Sequence, residues 1–167
     1  MARLCYIVAM IMLSLASASA CTAPFTLVGG GCYYFEQTLM LWEDARDYCR
    51  SLVSEGYSTD LAVVHSCDQL GAIWEHVLIE YGERVSLWIG GTDTTQEGSW
   101  KWVNGDTVPS GVPYWTPNSP HVDDTRNHLA LHSDTGYFID NGGESLWSIC
   151  EQTSLLDAPK EPVEPCQ

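Results

Sequence analysis

Seven cysteines in a 167-residue chain constrain this sequence more than any other feature, because the first stands apart from the rest. Cys5 falls inside a leading segment with Arg3, an apolar run from Leu4 to Leu15, and Ala18-Ser19-Ala20 as a small-residue cleavage site. That pattern reads as a secretory signal over residues 1–20. A membrane anchor would need ~20 apolar residues, and this run is well short of it. Removing residues 1–20, with Arg3 and Cys5, from a chain of 167 residues and formal charge −15 leaves 147 residues, charge −16 and six cysteines. An even cysteine set in an exported chain predicts a disulfide framework and an extracellular location, while leaving the pairing open.

The charge narrows the partners. With 22 acidic against 7 basic side chains, the chain lacks the clustered Lys and Arg that hold DNA, RNA or anionic lipid, so nucleic acid and membrane insertion are excluded. A hydrophobic share of 45% with 11% aromatics supplies enough apolar surface to offset the entropy of ordering, which predicts one domain with a real core.

Trp42, Ala45, Cys49 and Leu52 recur at intervals of three and four, with Glu43 and Asp44 in the first turn, and predict a helix over 39–52. Ser66-Cys67-Asp68-Gln69 has the spacing of a capping box and precedes Leu70, Ile73, Trp74, Val77 and Tyr81, with Gly82 as a stop; this predicts a second helix. The remaining apolar runs are short and bounded by Gly, Asn, Asp or Pro: 32–35, 61–64, 87–89, 129–131, 137–139 and 146–150. These predict strands. The expectation is an α+β domain over 21–155 in which 91–126 forms a long irregular loop, followed by a tail over 156–167 without a core-facing pattern.

Six motifs in order along the chain resemble the C-type lectin-like domain in its long form, as in soluble invertebrate C-type lectins. They are Cys21 with Cys32-Tyr33-Tyr34-Phe35; Trp42-x-x-Ala45-x-x-x-Cys49; Leu61-Ala62-Val63-Val64-His65-Ser66; Trp88-Ile89-Gly90-Gly91; Glu97-Gly98-Ser99-Trp100-Lys101-Trp102; and Ile149-Cys150-Glu151. In such a scaffold Trp88, Trp100 and Trp102 form a floor on which a poorly structured loop rests, each burying roughly 150–250 Å². The resemblance implies bonds Cys21–Cys32 and Cys49–Cys150. It leaves Cys67 and Cys166, assigned to each other here, with a bond between chains through Cys166 as the competing reading. A further family disulfide is lost, its places holding Leu129 and Gly142 or Gly143, which implies a looser binding loop.

The resemblance also implies a calcium site whose metal shell is completed by sugar hydroxyls. In the family its ligands lie beside a loop proline and in a Trp-Asn-Asp segment. One register places the proline in Ser119-Pro120-His121, the other in Thr116-Pro117-Asn118, and both replace the leading acid or amide by a hydroxyl. The next family ligand falls on Asn127 and the Trp-Asn-Asp segment on Phe138-Ile139-Asp140, so Asp140 alone is unchanged. Asp123, Asp124 and Asn141 are nearby oxygen donors for a rearranged site; ordinary turn residues on an acidic surface are the competing reading. The candidate carbohydrate or calcium residues are therefore Asn118, Ser119, His121, Asp123, Asp124, Asn127, Asp140 and Asn141, with calcium as candidate cofactor. Trp115, Tyr114 and Tyr137 are candidate aromatic faces for a pyranose, with His121 and Asn118 as hydrogen-bond partners, though such side chains are more often core than platform.

His128 and His132 have the four-residue spacing of helical zinc ligands, yet they fall in a strand pattern that separates them by ~13 Å. No Gly-x-Ser-x-Gly, phosphate loop or Cys-His nucleophile is present, so no enzyme is expected. The expected function is a secreted recognition protein that binds surface glycans or glycoproteins, in an innate immune setting, with a degenerate calcium and sugar site. The alternative is a domain of the same fold without sugar binding that acts through protein contacts or surface adsorption.

Overall fold

The computed structural model describes residues 21–52, 55–82, 85–110 and 114–155. The expected signal segment, the tail and Cys166 lie outside them. Ten elements are present, in the order β1 (Thr26–Val28), β2 (Gly31–Met40), α1 (Trp42–Ser51), β3 (Tyr57–Leu61), α2 (Cys67–Tyr81), β4 (Leu87–Thr92), β5 (Lys101–Trp102), β6 (His128–Leu131), β7 (Phe138–Asn141) and β8 (Leu146–Ser154). The fold is α+β, as the sequence predicts.

The last strand organises the sheet. β8 pairs antiparallel with β2 on one side and β3 on the other, and its start runs parallel to β4 through Leu87↔Trp147 and Trp88↔Ser148. The path then continues β4, β6, β7, with β5 paired to β4. Within it, β6 and β7 form an antiparallel pair that places Leu129 opposite Asp140. The only regular strand between Thr92 and His128 among the described residues is the two-residue β5, so the predicted irregular loop is present.

α2 forms where its local signals place it. The Ser66 hydroxyl accepts from the Gln69 N–H at 3.2 Å, and Gly82 ends the helix at φ 61°, a left-handed geometry that favours glycine. Leu70, Ile73 and Val77 are its buried stripe. α1 starts three residues later than predicted, because Leu39 and Met40 finish β2, where Met40 pairs with Leu146. Leu39 is exposed and has no face to bury in a helix. The strand predicted at 61–64 is instead β3, ending at Leu61. The Val63 N–H is taken by a Glu151 carboxylate oxygen at 2.9 Å, which draws the chain out of the ladder.

Two apolar clusters share the interior. One packs α2 against Tyr33, Ile89, Trp100, Trp102, Leu129 and Phe138; the other packs α1 against Leu61, Trp88, Ala130 and the Cys49–Cys150 bond. Cys21 is bonded to Cys32 and Cys49 to Cys150, the latter across 101 residues. Cys67 is also in a disulfide, whose partner is not among the described residues. At the positions of the lost family bridge, Leu129 is fully buried and meets Gly91, where an added Cβ would come within 2.6 Å of it.

The Cys49–Cys150 bond closes a loop of about a hundred residues, which constrains the unfolded chain by roughly 4–5 kcal/mol in the chain-entropy account. Replacing both cysteines by alanine is expected to lower the unfolding free energy by about that amount, read from denaturant titration; an unchanged midpoint would contradict this.

Candidate functional site

The loop rests on aromatic rings. Trp102 and Trp115 each meet Phe138 edge to face, at centroid distances of 5.7 and 5.9 Å, and Trp100 meets Trp115 at 5.1 Å. The Trp115 indole N–H donates to the Pro109 carbonyl at 2.8 Å. Trp115 and Tyr114 are each only 2% exposed, so neither presents a face to a sugar and both are core. Both pack on Phe138, whose strand draws them inward through the Phe138 N–H to Tyr114 carbonyl bond. Tyr137, at 41% exposed, remains accessible.

Above this floor, where the loop meets β7, lies a polar cleft of about 420 Å³. Its lining includes Ser119, His121, Arg126, His132, Ser133 and Asp140. The Asp140 side chain is fully buried. It accepts from the His121 backbone N–H at 3.1 Å and contacts His121 Nδ1 at 2.9 Å. The Arg126 Nη1 stands 3.2 Å from His121 Nδ1 and 3.4 Å from Nε2. Near-equal distances to both ring nitrogens place the guanidinium over the imidazole face, not in line with a ring lone pair.

That arrangement decides the fit of calcium to this cleft. The metal wants six to eight oxygens at about 2.3–2.6 Å. Here the one unchanged family ligand already faces an imidazole, and a guanidinium covers that ring. The residues around Asp140 do not fit calcium, and among the described residues no three His, Cys, Asp or Glu side chains form a ready metal shell.

A second feature was not legible as a site. Asp93, at the end of β4, is 2% exposed, and its Oδ2 accepts from the Gly98 N–H at 2.8 Å. Its Oδ1 and the Glu97 Oε1 are buried and unpartnered. Burial pushes the Asp93 carboxyl above the usual range, with Asp140 adding to it; desolvation, then Asp93, Asp124 and Asp123, push Glu97 up. Asp93, Asp123 and Asp124 thus repel Glu97 at the root of the loop. Only their shared neighbourhood, not their spacing in sequence, reveals this.

The predicted residues divide between regions. Ser119, His121, Asp140 and Asn141 line the cleft. Asn118 is exposed in a turn at φ 73°, outside the cleft lining. Asp123 accepts from the Thr125 N–H and hydroxyl, which holds its carboxyl below the usual range, and it lies 3.7 Å from Arg126. The Asp124 carbonyl accepts from the Asn127 amide at 3.0 Å. Asn127 lines a separate cleft of about 200 Å³ with Trp42, Glu43, Trp88 and His128. There His128 stacks on Trp42 at 4.5 Å and lies 3.2 Å from Glu43. His128 and His132 thus face different clefts and share no metal, as the strand spacing requires.

Comparisons with known proteins agree with this geometry. The sequence model of a family described as Lectin C-type domain matches residues 38–152. Asialoglycoprotein receptor 1 of Pongo abelii is 31% identical over 141 residues, covering 78% of this chain and 43% of that protein. The chain therefore spans less than half the length of that relative. The C-type lectin CEL-I from Cucumaria echinata superposes with a TM-score of 0.72 at 25% identity, covering 80% of this chain and 98% of that one. A calcium-independent type II antifreeze protein superposes at 0.62 with 26% identity, covering 81% and 95%.

The raised Asp93 pKa carries a sign. A carboxyl that holds its proton more tightly folded than unfolded costs stability once pH rises above its unfolded value near 3.9. Asp93→Asn is expected to raise the urea midpoint at pH 7 in chelator, with the gap to the parent closing as pH falls toward 4. A lower midpoint at pH 7 would refute the assignment.

Proposed function

The chain belongs to the C-type lectin family, and from that membership we propose that it is a secreted carbohydrate-recognition protein whose cleft around His121 and Asp140 binds surface glycans without a metal in that cleft. The observation that carries this reading is the contact of His121 with the buried Asp140 carboxylate beneath Arg126, which puts an imidazole and a guanidinium where the family would place calcium. Hydroxyls of Ser119 and Ser133 and the Asn141 side chain supply sugar hydrogen bonds along the same wall. The family is non-enzymatic, and so is this chain. A relative named as an asialoglycoprotein receptor supports glycans or glycoproteins as the ligand class.

Secretion rests on the signal-like residues 1–20 and on the disulfides, which persist in oxidising compartments. No helix among the described residues is long and apolar enough to cross a membrane. The domain runs over 21–155, with 156–167 as a tail, and its setting is innate recognition of surfaces. Calcium, where it acts, engages the acids Asp93, Glu97, Asp123 and Asp124, offsetting their repulsion and stabilising the loop. A second reading, adsorption to a surface without sugar binding, draws support from the calcium-independent antifreeze neighbour.

A glycan array run with calcium and with chelator tests the first reading. Retention is expected in both conditions, and His121→Ala is expected to weaken it about tenfold, the worth of a charge-assisted hydrogen bond. Retention confined to calcium would overturn the metal-free cleft, and none in either condition would leave surface adsorption or protein contacts. In the same samples calcium is expected to raise the melting temperature of the parent chain and not of Asp93→Asn; equal shifts would remove the acids from the metal's binding.

A further inference from the structure

Arg126 is the one basic residue between Lys101 and Lys160 in a chain of formal charge −15, and it stands in the cleft. Its contacts leave a donor free. Nη1 lies over His121, and Nε is 3.7 Å from Asp123, too long for a hydrogen bond. Nη2 has no hydrogen-bond partner among the described residues, and the side chain is 46% exposed.

The cleft's own carboxylates do not compete for it. Asp140 is fully buried and held by His121, and the Glu144 Oε2 accepts from the Asn141 amide at 3.0 Å. Asp123 accepts from the Thr125 N–H and hydroxyl, and its ion pair with Arg126 engages Nε at 3.7 Å and leaves Nη2 open. A second imidazole, His132, and the hydroxyls of Ser86, Ser119 and Ser133 complete the walls. A planar guanidinium with an open edge matches a carboxylate or sulfate in a way that a neutral hydroxyl does not.

We propose that this cleft selects acidic saccharides, with the sugar's carboxylate or sulfate on Arg126 and its ring hydroxyls on the serine-lined wall. This rests on the glycan reading above and names its ligand class. The guanidinium then does two things: it covers the imidazole that holds Asp140, and it meets the ligand's charge. Each neutral parent sugar lacks the group that would pair with it, so discrimination comes from one charge-assisted contact.

The test is calorimetric titration of the full chain, in chelator at low salt, with matched pairs: methyl glucuronide against methyl glucoside for the carboxylate, and galactose 6-sulfate against galactose for the sulfate. The acidic member of at least one pair is expected to bind about tenfold tighter or more. That preference should shrink as salt rises, because Arg126 is partly exposed. In Arg126→Gln the ratio is expected to fall to about one. In Arg126→Lys, which keeps the charge and loses the fork, it should fall to an intermediate value; near-ultraviolet circular dichroism would verify that both variants are folded. Equal binding of acidic and neutral sugars by the parent chain would overturn this inference and leave the glycan reading standing. A preference unchanged in Arg126→Gln would overturn it as well, and no binding of any sugar would overturn both.

Discussion

Everything in this fold hangs from β8. Its backbone satisfies β2 on one edge and β3 on the other, its first residues run beside β4, and Cys150 in its middle is bonded to Cys49 of α1. One strand therefore fixes the first helix, the amino-terminal hairpin and the central β4 against one another. Since β4 carries Trp88 and ends at Thr92, just before Asp93, and β6 and β7 follow it across the sheet, the position of the recognition loop is set by contacts that all trace to the same strand. Covalent linkage adds to this mainly by limiting the unfolded chain, while the ladders and the buried rings specify the geometry.

Electrostatics gives the loop its character. The chain is strongly acidic, and at the root of the loop burial and neighbouring acids raise the energy of ionised Asp93, and of Glu97 with it. Elsewhere at the loop the opposite solution appears: Asp140 is buried with its carboxylate partnered, since His121 supplies both a backbone and a ring contact. A buried charge that is paired and hydrogen-bonded is tolerable, whereas one with an orphan oxygen is a standing cost. The two carboxylates thus differ in partnership and not in depth.

Much of the architecture was legible in the sequence. α2 was readable because its cap, its apolar stripe and its terminal glycine are all local, and the six motifs hold Trp100 and Trp102 of the aromatic floor, whereas Trp88 packs with α1 and Trp115 lies outside them. β3 was misplaced because the group that ends it, Glu151, lies 88 residues from Val63 along the chain. Tyr114 and Trp115 read as core more readily than as sugar faces, and the inward course of Phe138 buries both. At the site, the pattern of metal and sugar ligands points to Ser119, His121, Asp140 and Asn141 and not to Arg126, since a cation is not what a metal shell is built from. Its isolation among acids was the available signal.

Gly142 packs so tightly on the Thr125 carbonyl that a Cβ there would lie 1.9 Å from the oxygen. The hairpin end beyond β7 is thus clasped to the loop by bare backbone, where the family would tie it with sulfur. A clasp of that kind needs no oxidant to assemble, and it yields to a single methyl group. Any side chain at position 142 would therefore push the end of β7 away from the loop, and the cleft walls on both with it.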